Sequence, residues 1–180
     1  SIHDGTRGIY VPDLSPSPGE WPEVGDFLVV EGVSDPGDFA PVILPHRVSR
    51  IGKGTFPQPI RATWGQLMNG SMDMQYVELR GAVTTIEGAY AWMLLGSGRV
   101  KVRLDGISPS RLQLYENSII RVRGCLSATW NRETRKVVPG EVKLSTVSIS
   151  VERDAPNDLF DVPTKNAGDL LLFDPRADDL

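Results

Sequence analysis

The sequence predicts an all-β fold in which small closed barrels follow one another along the chain. The first observation is residues 76–86, where apolar and polar residues alternate as in a strand with one buried face. Gly81 stands on the buried side, where it marks a bulge, a bend or a close backbone approach. The same design recurs at residues 27–33 and 119–126. Strands that bend in mid-course are those of small barrels, so three of them predict repeated barrels.

The composition of the chain limits the classes of function. It has 180 residues with a formal net charge of -4, which argues against a nucleic-acid partner. Glycine and proline lie between apolar runs, as in turn-rich β proteins. The single cysteine, Cys125, cannot form an intramolecular disulfide. The sequence shows neither an apolar run of membrane-spanning length nor a secretory signal.

The first half of the chain is predicted to contain strands separated by turns. Pro45 lies inside one of these strands, where proline indicates an edge position or a bulge. The predicted elements are a glycine-rich turn and strand at 3–11, an irregular loop at 12–22, strands at 27–33 and 42–51, and a linker at 52–59.

The second half begins with a short helix and continues with five strands. Thr63 can cap the helix, and Asn69 with Gly70 ends it. A change of apolar phase between Leu144 and Val147 indicates a β-bulge. The predicted elements are the helix 64–68, the strands 76–86, 90–95, 99–104, 119–128 and 141–152, and a short helix or loop at 109–117 in which Leu112 and Leu114 point inward.

An internal repeat relates the two halves. Residues 5–11 are similar to residues 96–102, and residues 65–67 to residues 168–170, as expected of a tandem duplicate with loop insertions. Five strands, with a loop or helix after the third and bends in the first and fourth, have the order of an OB fold. The predicted units are the C-terminal part of a first OB-like barrel (1–56), a linker with a short helix (57–75), a second, complete OB-like barrel (76–155), and a spacer with a short helix that leads to a further module (156–180).

The ends of the chain suggest a piece of a longer protein. It has no initiator methionine and begins inside a predicted hairpin. We therefore expect the first two strands of barrel one to precede Ser1 and a third barrel to follow Leu180.

Three segments that combine a turn with a strand resemble the tandem OB-like modules in the extracytoplasmic sensory region of bacterial sensor histidine kinases. They are residues 4–11, 24–32 and 39–43. Residues 158–163 and 168–173 are similar to the spacer between successive modules of that family. The resemblance implies a two-component signal-transduction protein in a periplasmic or extracytoplasmic location. It also implies neighbouring barrels of the same chain as partners, and membrane attachment only through flanking segments. The kinase core itself is not matched.

Residues that could carry catalytic or metal chemistry stand apart from one another. His3 and His46 lack the spacing of zinc ligands, and Cys125 has no base near it in the sequence. Asx turns explain Asp35 and Asp38 better than a calcium loop does. We therefore expect no catalytic residue, metal or cofactor in this segment, which is not predicted to be an enzyme.

One group of basic and aromatic side chains could form a ligand face. In an OB fold, strands two and three and the loop between strands four and five bind single strands or sugars. The alternative is that alternating charges solvate the outside of the barrel and discourage edge pairing, which the acidity of the whole chain favours. The residues of the possible ligand face are Tyr90, Trp92, Arg99, Lys101, Arg103, Arg121, Arg123 and Trp130, with Arg132, Arg135 and Lys136 in the nearby loop.

Together these features predict a non-enzymatic sensory or spacer module of a bacterial signal-transduction protein, with an unknown ligand. Two alternatives stay open. One is an OB-fold binder of single-stranded nucleic acid or oligosaccharide, and the other is an accessory domain of a secreted hydrolase. The domains that flank the chain would distinguish them.

Overall fold

The computed structural model describes residues 1–14, 21–96, 98–156 and 166, with only the backbone of Thr146. The spacer and short helix predicted at 156–180 therefore lie outside the described residues, apart from Pro156 and Asn166. Most of the described chain is β-strand. The elements in order are β1 (Ile2–His3), β2 (Gly8–Ile9), β3 (Asp26–Asp35), β4 (Val42–Lys53), β5 (Ile60–Arg61), α1 (Trp64–Asn69), β6 (Tyr76–Glu87), β7 (Tyr90–Leu95), β8 (Gly98–Leu104), α2 (Pro109–Gln113), β9 (Ile119–Trp130) and β10 (Val137–Arg153).

Strands β6 to β10 form a closed barrel. Neighbouring strands follow the order β6-β7-β8-β10-β9, and β9 pairs again with β6 to close the ring. The β8–β10 pair is parallel and the other pairs of the ring are antiparallel. With α2 between its third and fourth strands, this ring has the strand order of an OB fold. The predicted fold class is confirmed.

The alternation of apolar residues in the five strands fills the barrel. One side chain of α1, Leu67, and one of α2, Leu112, are buried in the same core. Full burial of each such side chain stabilises the fold by about 1.5–3 kcal/mol. The strand residues of the core are Val77, Leu79, Val83, Ala91, Met93, Leu95, Val100, Val102, Leu104, Ile120, Val122, Leu126, Val142 and Leu144.

The glycines of the two bent strands lie where backbones approach closely. A Cβ atom on Gly81 would overlap the carbonyl oxygen of Leu94 in β7. A Cβ on Gly124 would lie 2.8 Å from the carbonyl oxygen of Ser145, next to the bulge between Ser145 and Ser148. Each site requires the absence of a side chain, because the neighbouring strand crosses there.

The two short helices begin at polar caps. Thr63 and Gln66 form a capping box at the start of α1, and Gly70 ends that helix in a left-handed conformation. The hydroxyl of Ser108 caps α2 and accepts from the amide of Arg111. Helix α1 ends within one residue of its predicted end.

The first unit contains fewer strands than the barrel. Strands β3 and β4 form an antiparallel hairpin, and Tyr10 makes a parallel bridge to Val42 of β4. That bridge resembles the parallel pairing of the third and fifth barrel strands. Gly32 pairs with Pro45 beside a bulge, as Gly124 lies beside one in the barrel. The boundaries of the four predicted units stay a prediction.

A buried glutamine joins the first unit to the barrel. Gln75, which is 2% exposed, accepts from the Gly8 amide and donates to the Gly8 carbonyl. A Cβ on Gly8 would overlap the carbonyl oxygen of Met74, so the two backbones touch there. The ring of Phe39 stacks on Trp130 with 5.8 Å between ring centroids. We call these contacts between the first unit and the barrel the joint.

Replacing Gln75 by leucine should loosen this joint with little change in volume. Both polar groups of the Gly8 backbone would lose their partner, which costs about 1–3 kcal/mol for a buried group. We expect hydrogen exchange of the Gly8 amide to accelerate by about tenfold. The control is Gln113→Leu in α2, because Gln113 is exposed and far from Gly8 in the sequence. Unchanged exchange at Gly8 would contradict the joint.

Candidate ligand-binding face of the barrel

Strands β7 and β8 present a row of large polar and aromatic side chains to solvent. Alternate residues of both strands are buried in the core, so the residues between them point outward. The antiparallel register sets Trp92 opposite Lys101 and Tyr90 opposite Arg103. Opposed outward residues lie close enough for their side chains to interact.

Cations lie over the aromatic rings of this surface. The guanidinium carbon of Arg99 is 4.5 Å from the centre of the Trp92 ring. The Lys101 ammonium is 4.4 Å from the Tyr90 ring and 5.8 Å from that of Trp92. Contacts of this kind stabilise by about 0.5–1 kcal/mol at exposed sites. We call Tyr90, Trp92, Arg99 and Lys101 the cation–π face.

The two cations of the cation–π face lack acidic partners. No ion pair of Arg99 or Lys101 is found with any carboxylate in the part of the chain that the structure describes. Arg99 donates instead to the hydroxyl of Thr85 in β6, at 3.2 Å. Arg103, at the end of the row, pairs with Asp105 at 3.3 Å. The centre of the face therefore carries two positive charges that remain available to an anion.

The charge of the barrel differs from that of the rest of the chain. Residues 76–153 contain 12 Lys and Arg against 7 Asp and Glu, a formal charge of +5. The remaining residues contain 7 Lys and Arg against 16 Asp and Glu, a formal charge of -9. The net charge of the whole chain thus conceals a basic barrel, and it is the local field that an incoming ligand meets.

Arg121 and Arg123 of β9 belong to a different surface. Arg123 donates to the buried carboxylate of Glu78 at 2.8 Å, and Arg121 pairs with Glu152 of β10. Arg61 also donates to Glu78, at 3.2 Å, and Arg80 to Glu152. We call the four arginines Arg61, Arg80, Arg121 and Arg123, together with Glu78 and Glu152, the arginine cluster.

The arginines of the cluster lower the pKa of its two carboxylates. Burial raises the pKa of Glu78, but the hydrogen bond from Arg123 and the charges of the surrounding arginines outweigh burial, so the pKa lies below its ordinary value. The hydrogen bond from Arg80 and the charge of Arg121 lower the pKa of Glu152. Both β9 arginines therefore take part in ion pairs on the outside of the barrel, as the alternative interpretation of the sequence expected, and neither belongs to the cation–π face.

The eight residues predicted for one ligand face therefore divide among three places. Tyr90, Trp92, Arg99, Lys101 and Arg103 share the outer surface of β7 and β8, whereas Arg121 and Arg123 lie in the arginine cluster. Trp130 stacks on Phe39 at the joint, so its ring packs between the units. The three basic loop residues are exposed beside the turn at Asn131, and they are Arg132, Arg135 and Lys136.

Two acidic residues of the site, Glu78 and Glu152, were not singled out in the sequence. In the sequence Glu78 stands between apolar residues, as a solvated strand residue would, but the structure buries it together with them. Only the pairing of β6 with β9, which brings Glu78 opposite Arg123, indicates its partner. Sequence separation hides such pairs, because the partners lie 45 residues apart.

The separate candidates for metal or catalytic chemistry lie on four different strands, β1, β3, β4 and β9. The ring nitrogen of His3 accepts from the Gly5 amide, and His46 lies 3.9 Å from Glu31 on exposed strands. The thiol of Cys125 is 3.2 Å from the Ser1 hydroxyl. Asp35 accepts from the Gly37 amide in an Asx turn. Over residues 1–14, 21–96, 98–156 and 166, no three His, Cys, Asp or Glu side chains converge as a metal site.

Comparison with known proteins adds little to this geometry. No protein-family model matches the chain. No curated protein matches it either. Among the solved structures that are similar over part of their length are two aspartyl-tRNA synthetases. One is an aspartyl-tRNA synthetase from Entamoeba histolytica, at 18% identity and a TM-score of 0.42, covering 56% of this chain. The other is a putative aspartyl-tRNA synthetase from Leishmania major Friedlin, at 17% identity and a TM-score of 0.40, covering 61% of this chain.

The similar region is a small part of those synthetases. The match spans 23% of the Entamoeba protein and 24% of the Leishmania protein. Similarity this low carries no argument about function, and the assignment of the fold rests on the strand order above. None of the helices in the described ranges has the length and apolar character that a membrane crossing requires.

Proposed function

We propose that this chain is a non-enzymatic sensory module whose barrel binds an extended anionic ligand on the cation–π face. The observation that carries the proposal is the pair Arg99 and Lys101, which lie over aromatic rings and have no carboxylate partner within the described residues. The proposal joins the predicted sensory role to the OB-fold binder that the sequence left as an alternative.

The location of the cation–π face supports binding. It occupies the outer surface of β7 and β8, the second and third strands of the barrel, where OB folds bind oligonucleotides and oligosaccharides. Aromatic rings provide stacking surfaces for bases or sugars, and the cations attract phosphates or acidic groups. The formal charge of +5 on the barrel strengthens that attraction. The acidity of the whole chain therefore gives no reason to exclude an anionic polymer.

The cellular role is proposed from the resemblance and the joint. The segments at residues 4–11, 24–32 and 39–43 resemble those of tandem modules in the extracytoplasmic region of bacterial sensor histidine kinases. The joint, in which Gln75 bonds both polar groups of the Gly8 backbone, would carry a displacement of the barrel to its neighbour. In the flanking coding sequence, a membrane-spanning helix followed by a kinase core would support this role. A hydrolase domain there would favour the accessory-domain alternative instead.

Ligand binding can be measured with two labelled anionic polymers, a single-stranded oligonucleotide and an acidic oligosaccharide. At a salt concentration of about 20 mM, where screening is weak, we expect one of them to bind with a dissociation constant in the micromolar range. Arg99→Gln should weaken binding and reduce its dependence on salt, because it removes one ion contact. Arg111→Gln removes the same charge from α2 and should have a smaller effect.

Trp92 tests the stacking part of the proposal. Trp92→Ala should weaken binding by about tenfold, within the range of base–aromatic stacking, while Trp92→Phe keeps a ring and most of the affinity. The indole nitrogen of Trp92 is buried without a hydrogen-bond partner, so phenylalanine leaves no polar group unpaired. The absence of binding by both polymers, or equal effects of Arg99→Gln and Arg111→Gln, would refute the cation–π face as a ligand site.

A further inference from the structure

A second basic surface lies over β9 and β10, next to the ion pairs that Arg121 and Arg123 make with Glu78. Between β9 and β10 there is an open groove of about 210 Å³. Two guanidinium groups of β9 and two serine hydroxyls of β10 line it, and they are Arg121, Arg123, Ser148 and Ser150, with Ile149 between the serines. The register sets Arg123 opposite Ser148 and Arg121 opposite Ser150. We call this space the β9–β10 groove.

The charge around the β9–β10 groove is not balanced. The arginine cluster has four arginines and two glutamates, so it keeps two positive charges after each carboxylate is counted. Arg121 and Arg123 are only partly exposed, with 36% and 43% of their side chains accessible. Partly covered cations of one sign repel each other more strongly than fully hydrated ones, which favours an anion between them.

Hydrogen-bond donors also remain in the β9–β10 groove. Arg121 reaches Glu152 through one terminal nitrogen, whereas its buried Nε atom faces the Glu78 carboxylate at 3.9 Å, beyond hydrogen-bond distance. In the described part of the chain, the hydroxyls of Ser148 and Ser150 take part in no side-chain hydrogen bond. Each guanidinium group has five N–H donors. The bonds of Arg121 and Arg123 to the carboxylates of Glu78 and Glu152 do not use all of them.

We propose that the β9–β10 groove binds a phosphate-type group, a tetrahedral oxyanion with two negative charges. The fork of a guanidinium matches two oxygens of such a group, and serine hydroxyls donate to the others. Two negative charges equal the excess of the arginine cluster, whereas a carboxylate would neutralise half of it. The site is independent of the cation–π face, because none of its residues belongs to β7 or β8.

The test uses inorganic phosphate with the full chain. Thermal unfolding and isothermal titration should show saturable binding by phosphate, and competition by sulfate, beyond the effect of sodium chloride at equal ionic strength. Ser148→Ala with Ser150→Ala leaves every ion pair in place and should weaken phosphate binding by about tenfold, the loss of hydrogen bonds to a charged group. Arg121→Gln should abolish the saturable part. Arg111→Gln in α2 is the control and should leave it unchanged.

The same experiment distinguishes two sources of the phosphate group, a polymer end and the free ion. A 5′-phosphorylated oligonucleotide that binds more tightly than its unphosphorylated form, and loses that gain in the double serine variant, identifies a polymer-borne phosphate. Equal binding of the two oligonucleotides, with inorganic phosphate still bound, identifies the free ion. A phosphate effect no larger than that of chloride would overturn the site. So would a loss on Trp92→Ala with none in the serine variant, because binding would then belong to the cation–π face.

Discussion

Replacing Gly81 by alanine should destabilise the barrel by about 3 kcal/mol, the upper part of the range for overpacking. A Cβ at this position would overlap the carbonyl oxygen of Leu94 and approach the Leu95 side chain to 2.8 Å. A backbone carbonyl in a paired strand cannot rotate away, so β6 and β7 would have to separate where they pair at Ala82 and Leu94. Denaturant unfolding followed by tryptophan fluorescence measures the change.

The matched control is Gly65→Ala in α1. A Cβ on Gly65 meets no atom within 4 Å, and alanine favours a helix over glycine by about 1 kcal/mol. We therefore expect this variant to be as stable as the wild type or more stable. If Gly81→Ala unfolds at the same denaturant concentration as the wild type, the close approach of β6 and β7 is not what requires glycine.

Glu78→Gln should lower the free energy of unfolding at pH 7 by about 2 kcal/mol, less than for a fully buried ion pair because the arginines are partly exposed. The Glu78 side chain is 5% exposed and accepts from Arg61 and Arg123. Glutamine keeps the size of the side chain but removes the charge, so the partly buried guanidinium groups of Arg121 and Arg123 would lose their counter-charge. Glu87→Gln, at an exposed turn, is the control and should change little.

The loss of unfolding free energy caused by Glu78→Gln should become smaller as the pH falls. Because the arginines lower the pKa of Glu78 below its ordinary value of 4.5, its ionised form stabilises the folded state above pH 4.5. That contribution is lost as the pH falls below 4.5 and through the pKa of the folded state. The stability of the wild type should therefore approach that of Glu78→Gln in acid. A difference between them that stays constant from pH 7 to below the folded pKa would contradict the ion pairs.

Other carboxylates titrate over the same range, so the comparison has to be between variants. The pKa of Glu152 is also lowered, and Glu152→Gln should remove a further part of the acid dependence. Burial raises the pKa of Asp73, which acts in the opposite direction and favours the folded state as the pH falls. Subtracting the curve of Glu78→Gln from that of the wild type isolates Glu78, provided the other groups are unaffected.

Local pattern was sufficient to predict which way most strand residues point. In β7 and β8 the side chains alternate strictly between core and solvent, so Trp92, Arg99 and Lys101 were predicted on one outer surface. The sequence also predicted an edge position or a bulge at Pro45 and a bulge between Leu144 and Val147, and the strand register shifts at both places. These properties depend on a residue and its immediate neighbours.

Local pattern did not predict side-chain direction correctly in α2, where the backbone allows a leucine to point toward the core or toward solvent. Leu112 and Leu114 were both predicted to point inward, yet Leu112 is fully buried and Leu114 is 76% exposed. Two residues of a helical turn lie on opposite sides of it, and the barrel core covers one side only. The position of α2 on the barrel decided between them.

By itself, the sequence determined the succession of strands along the chain, the bent strands and the outward row on β7 and β8, because these follow from alternation and from the positions of glycines and turns. Only the tertiary structure decided how charges and rings are distributed around that frame. Closure of the ring between β6 and β9 brought Glu78 to Arg123, and packing of the first unit brought Phe39 to Trp130. Such pairs depend on which distant segments become neighbours, and no local periodicity contains that information.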